Sequence, residues 1–232
     1  MKFGPNLQLG KAFGIDILLH WSFFLLPLLV ILLSVTQGDS WQVTGLWIVL
    51  MLVILASVLW HELGHALAAR RLGIPIVDIM ITPICGLARL AHAPDSPRDE
   101  VLVALAGPMA NGILAVLFGL IVWSTGRDFA TEPATFRGDL LLTLLWIQVA
   151  LCVLNLLPIF PMDGGRVLRA VLAMRMNGSR ATEIAARMGQ VVSLVAAIVG
   201  LVYKFYPLTI IAIFLMLTAE QELRQHRLYP DE

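Results

Sequence analysis

Charge is scarce in this chain. Only 14% of its 232 residues are Asp, Glu, Lys or Arg, whereas 59% are hydrophobic and the mean hydropathy is +0.85. Soluble domains carry about 25% charged residues, so this composition makes lipid, not water, the expected solvent. Acidic and basic residues balance at 16 each, which removes the basic surplus that a nucleic-acid-binding face requires. Cysteine is nearly absent too. Cys85 and Cys152 are too few and too far apart for a disulfide framework or a paired-thiol metal site; Cys152, inside an apolar run, reads as a small hydrophobe. The N-terminus lacks a compact charged region leading into a short apolar core and a small-residue cleavage site, so the first apolar segment is expected to be retained as a membrane span. Repeats, low-complexity tracts and linkers are also missing. The chain is read as one domain, 1–232, with no attached soluble regulatory domain.

Long hydrophobic runs are what the sequence has instead. A span needs about 20 mostly apolar residues, and four such runs lie at 17–35, 43–60, 101–124 and 140–157. The stretch 188–219 carries a single charge, Lys204, in "YKFYP", and its length with Pro207 suits two spans joined by a tight turn. The fifth helix would start near Arg180, pairing Glu183 with Arg187 one turn apart. Residues 74–92, rich in isoleucine and interrupted by Pro75, Pro83 and Gly86, are too broken for a helix and read as short strands. Residues 165–176 suit a short interfacial helix with Arg166 and Arg169 on one face. The expected fold is an all-α polytopic membrane protein: six transmembrane helices with short membrane-associated β-strands between helices two and three. Thirteen of the sixteen Lys and Arg residues fall on one side of this arrangement. By the positive-inside rule both termini, and the end of the second span that carries Arg70 and Arg71, are cytoplasmic.

That end of the second span holds the residues that hydrocarbon should expel: His61, Glu62 and His65 in "LWHELGHALAARR". An ionisable side chain at the bilayer centre costs about 2.5–3.5 kcal/mol, so three of them need a compensating partner. Residues four apart on a helix point the same way, within about 40°, so His61 and His65 can grip one Zn²⁺ while Glu62 reaches a water as general base. A catalytic zinc site takes a third protein ligand. Asp163 stands out in "NLLPIFPMDGG" (155–165), where two prolines end the helix and the glycines allow sharp turns. Its other reading is the N-cap of the short helix that follows. Asn155 either hydrogen-bonds a substrate backbone or oxyanion or braces the Pro158 turn. The small residues of "AGPMAN" (106–111) suit close helix packing, with Asn111 as a possible brace for the site. His20, His92, Asp99, Glu183 and His226 read as interfacial, solvated or locally paired.

Together, His61-Glu62-Leu63-Gly64-His65, Ala106-Gly107-Pro108 and Asn155 to Gly165 resemble the site-2 protease family of intramembrane zinc metalloproteases. The resemblance implies that His61, His65 and Asp163 hold one Zn²⁺ and that Glu62 activates water. It further implies a membrane-protein substrate whose transmembrane helix is cleaved within the lipid bilayer. Where the strand region of that family often carries paired glycines, this chain has Cys85-Gly86. An unwound substrate segment would pair with a strand edge within 74–92 by β-addition. The alternatives are a divalent-metal transporter, a metalloprotease with Glu183 as third ligand, and an inactive scaffold. Transport wants ligands on several helices, which spans three, five and six hardly offer; the intact Glu62 argues against a scaffold.

Overall fold

A computed structural model describes residues 6–83, 86–126 and 140–228. Among these residues the chain forms four strands, a single 3₁₀ turn and seven helices: β1 (Asn6–Ala12), β2 (Ile15–His20), the turn Trp21–Phe24, α1 (Leu25–Gln37), α2 (Trp41–Arg71), β3 (Ile76–Ile81), β4 (Gly86–Leu90), α3 (Pro97–Ser124), α4 (Leu140–Asn155), α5 (Asp163–Ala173), α6 (Gly178–Val202) and α7 (Tyr206–Leu228). It is a helical polytopic membrane protein with a small sheet. Helices α2, α3 and α6 are long and apolar enough to cross a membrane, and Trp21–Gln37, Leu140–Asn155 and Tyr206–Gln221 are shorter apolar helices. Leu28, Val116 and Ile210 are 61–68% exposed, as lipid-facing side chains should be.

The helix ends follow local chemistry. Ser40 caps α2 by accepting from the Val43 amide, and Arg70 and Arg71 in the last turn complement the helix dipole. Pro97 opens α3, where its missing N–H costs nothing, and Ser96 accepts from the Asp99 amide while donating to its carboxylate. Asn177, in the sequon-like Asn177-Gly178-Ser179, caps α6. The 188–219 stretch divides as expected, α6 turning at 203–205 into α7, and Glu183 pairs with Arg187.

Two compact units result, Met1–His92 with Met109–Cys152 and Ala93–Pro108 with Val153–Glu232. In the first, the strands form one sheet in the order β1-β2-β3-β4, with β2 parallel to β3 and the other pairs antiparallel. The strands expected within 74–92 are β3 and β4. The hairpin β1–β2 was not expected, and it corrects the first predicted span: 17–35 is not one helix. Ile15, Ile17 and Leu19 alternate with Asp16, Leu18 and His20 as buried and half-buried residues, a two-residue period that had been absorbed into the apolar run after it. Phe13 and Gly14 make the turn, both at positive φ (51° and 79°), the backbone that tight two-residue hairpins need. His20 accordingly ends a strand and caps the 3₁₀ turn by accepting from the Ser22 amide.

The sheet packs on α2. Ile15 and Ile79 meet Leu63 and Ala66, and Ile17, Leu19 and Ile81 cluster with Phe23 above Met51, Leu55 and Leu59. Asp78, buried, is ion-paired with Arg89, its register partner on β4. Polar bonds tie α2 to its other neighbours in this unit: Gln148 donates to Ser57 Oγ at 2.6 Å, and Trp60 Nε1 to the Ala110 carbonyl at 2.9 Å.

In the second unit Phe160, Ala185, Ala186, Ala219 and Leu223 form the core, and Arg169 pairs with buried Glu100. Helices α6 and α7 approach closely because Gly200 has no side chain: a Cβ there would lie 2.6 Å from Thr209 Oγ1 and 2.8 Å from Thr209 N. Gly200→Ala is expected to destabilise the protein by about 1–3 kcal/mol, read as a lowered midpoint of thermal unfolding in detergent; an unchanged midpoint would contradict this packing.

Candidate metal centre

His61 and His65 come together on one face of α2. Their Nε2 atoms are 3.1 Å apart, the rings meet edge to face at 4.7 Å, and both residues are buried, at 6% and 5% exposure. Two imidazoles around a tetrahedral zinc at 2.0–2.1 Å place their nitrogens about 3.3 Å apart. The pair is thus close to ligand spacing, and neutral imidazoles are the donors zinc favours, so the residues present fit the metal.

Glu62, one residue on, points elsewhere. Its Oε2 accepts from the Ala88 amide of β4 at 2.9 Å. Its aliphatic part lies on Gly86 so closely that a Cβ at that position would overlap Cγ and come within 2.9 Å of Cδ and Oε1. Among the described residues β4 ends the sheet. The carboxylate is therefore held by the edge strand, not by a partner on its own helix. Sequence reasoning named Gly86 as a break in the strand region and as half of Cys85-Gly86, but missed its contact with Glu62; Cys85 lies outside the described residues.

Asp163 belongs to the second unit, where it is buried at 7% exposure and is the first residue of α5. Met162, extended at φ −66° and ψ 156°, takes the N-cap position without a side-chain bond. The capping reading of Asp163 is thereby corrected: the helix starts one residue earlier than a capping aspartate requires. Gly164 and Gly165 let α5 sit directly on the segment before it. A Cβ at Gly164 would overlap the carbonyl oxygens of Leu156 and Leu157, and one at Gly165 would lie 2.8 Å from Ile159 C and Phe160 N. Asn155, half-buried, is the last residue of α4 and also belongs to the second unit.

Three of the other polar candidates are engaged locally, and the side chain of His226 lies outside the described residues. His20 Nδ1 lies 2.6 Å from Ser22 Oγ, Asp99 bonds Ser96, and Glu183 pairs with Arg187 at the surface. Glu220 on α7, unremarked in the sequence, accepts from Gln190 and Arg224. Asn111 is fully buried with its amide nitrogen 3.4 Å from His61 Nδ1. The spacing of "AGPMAN" singled it out as a candidate brace but did not name its partner.

The chain is similar to known proteins in sequence and in fold. The profile of peptidase family M50 matches residues 49–135 and 134–196. A zinc metalloprotease of Methanocaldococcus jannaschii is 32% identical over 219 residues, 94% of this chain and 61% of that relative. Stage IV sporulation protein FB of Bacillus subtilis is 26% identical over 135 residues, covering 58% of this chain and 44% of its own length. The solved site-2 protease from Methanocaldococcus jannaschii superposes with a TM-score of 0.68 at 33% identity, over 94% of this chain and 95% of that one. The chain spans 61% and 44% of the length of these two curated relatives. A family profile matched over most of the chain, and a fold shared with a solved member at one-third identity, settle the kinship: the chain belongs to peptidase family M50, the site-2 protease family.

Proposed function

We propose that the chain is an intramembrane zinc metalloprotease that hydrolyses peptide bonds in or near transmembrane segments of membrane-protein substrates, as in regulated intramembrane proteolysis. The observation that carries this reading is the buried His61–His65 pair beside a carboxylate anchored on an edge strand. One Zn²⁺ is held by His61 and His65, with Asp163 as the third ligand. Asp163 is buried in its own unit as the first residue of α5, where Met162, not Asp163, takes the N-cap position.

Bound zinc supplies a Lewis acid that lowers the pKa of water from about 15.7 to about 7. Glu62 takes the proton of the attacking water and returns it to the leaving amine. The edge strand β4 receives an unwound substrate segment as an added strand, its main chain satisfied by outward amides other than that of Ala88, which Glu62 holds. Asn155 hydrogen-bonds the substrate backbone or the developing oxyanion. The positive-inside count orients both termini and the active-site end of α2 to the cytoplasm. Transport is not favoured, because Glu183 and Glu220 on α6 and α7 are committed to neighbouring side chains.

The decisive comparison is cleavage of a labelled single-span protein by purified chain in detergent, with bound zinc quantified. Glu62→Gln is expected to keep one zinc per chain and lose cleavage by on the order of 10²–10⁴-fold. If wild type holds zinc and cleaves none of several test spans, the protease reading fails.

Asp163→Asn should lose zinc while Glu183→Gln keeps it; the reverse result would move the third ligand to Glu183.

Gly86→Ala pushes on Glu62 without touching a ligand. It is expected to lower kcat by on the order of 10²-fold with zinc retained. Proline substitution across β4 should likewise reduce cleavage while zinc stays bound, and unchanged cleavage throughout such a scan would remove the strand edge from the mechanism.

A further inference from the structure

We propose that Asn111 is a positioning residue for His61: its amide presents Oδ1, not Nδ2, to a protonated Nδ1 of His61, and so fixes the tautomer whose Nε2 is free to hold a cation. The inference rests on the reading of His61 as a metal ligand and adds what selects its coordinating nitrogen.

The amide of Asn111 is fully buried and lies against Nδ1 of His61, with Nδ2 at 3.4 Å. In that orientation the carbonyl Oδ1 is a buried acceptor with no hydrogen-bond partner. The same orientation makes Nδ1 the acceptor, which in a neutral imidazole puts the proton on Nε2. Nε2 is the atom that faces Nε2 of His65 at 3.1 Å, and a protonated nitrogen cannot ligate. Turning the amide by 180° exchanges two nearly isosteric groups and reverses the roles of donor and acceptor at Nδ1. Oδ1 then accepts from Nδ1–H, the orphan acceptor is satisfied, and the Nε2 lone pair is left beside that of His65. Histidines that bind metals usually donate their other ring N–H to such an oxygen, which sets tautomer and ring orientation.

The surroundings hold the pair in register. Trp60, the residue before His61, donates to the carbonyl of Ala110, the residue before Asn111, at 2.9 Å. Helices α2 and α3 are pinned one position away from the proposed bond, within the same compact unit. A side chain that only filled space at position 111 would not need an acceptor there.

The test is zinc affinity of the full chain in detergent, measured by chelator competition for wild type, Asn111→Leu, Asn111→Asp and His61→Ala. Asn111→Leu, similar in volume but without an acceptor, should bind zinc about 10–100-fold more weakly. Asn111→Asp, an acceptor that cannot donate, should stay within a few-fold of wild type. Wild-type affinity in Asn111→Leu, or an Asn111→Asp variant as weak as Asn111→Leu, overturns the proposal. Wild-type affinity in His61→Ala overturns the ligand reading beneath it instead. Nitrogen-15 NMR of histidine-labelled, zinc-loaded wild type tests the same point without a variant: His61 should show a protonated Nδ1, and a deprotonated or metal-shifted Nδ1 rejects it.

Discussion

Everything at the candidate centre depends on how α2 is rotated against the sheet. Leu63 and Ala66 pack on Ile15 and Ile79, and a helix advances about 100° per residue. Fixing Leu63 and Ala66 toward the sheet turns His61 and His65 to the far side together. Glu62 falls between the two directions, at the flank where β4 ends the sheet. Three residues within one and a half helical turns thus receive two surroundings from one packing decision: two imidazoles in a buried pair, and a carboxylate on a strand amide. A rotation by one residue would exchange these places, so the aliphatic contact is as much a part of the chemistry as the ionisable groups.

How much of this could be read from the sequence follows from which contacts are local. His61 and His65 meet because they are four apart on a helix, and that needed no tertiary information. The apolar helices were legible for the same reason, since lipid demands long uninterrupted runs. The hairpin β1–β2 was not, because "IDILLH" flows into the apolar stretch after it and only Asp16 marks the alternation. Asp163 was singled out within a stretch rich in glycine and proline, and its alternative reading as an N-cap missed by one residue, because α5 begins at Asp163 itself. The pressure of Gly86 on Glu62 joins positions 24 residues apart through the fold of a strand. Spacing carries no trace of such a contact.

The second unit reaches its local precision by a different route. Around Asp163 there is little side chain to pack: Gly164 and Gly165 bring the first turn of α5 onto the backbone of Leu156 to Phe160, and Gly189 of α6 closes on Ile159 and Phe160 from the other direction. Backbone against backbone leaves few rotamers to vary, so the buried carboxylate at the start of α5 is carried on a rigid support. The ligand role proposed for Asp163 would draw on such a support, because small displacements of a ligand are costly.

A membrane helix has no hydrophobic reason to prefer one face, because lipid tails are as apolar as its neighbours. The sheet settles the question for one side of α2, and polar side chains settle it for the rest. Between Ser57 and Glu62 the helix sends four polar contacts to three different elements: Ser57 to Gln148 on α4, Trp60 to Ala110 on α3, His61 to Asn111 on α3, and Glu62 to Ala88 on β4. Each would be expensive to leave unpaired in hydrocarbon, so each penalises any other rotation of the helix. The groups that lipid tolerates least are therefore the ones that define the register of this unit. An ionisable motif within an apolar helix is kept in place by the same penalty that makes it rare.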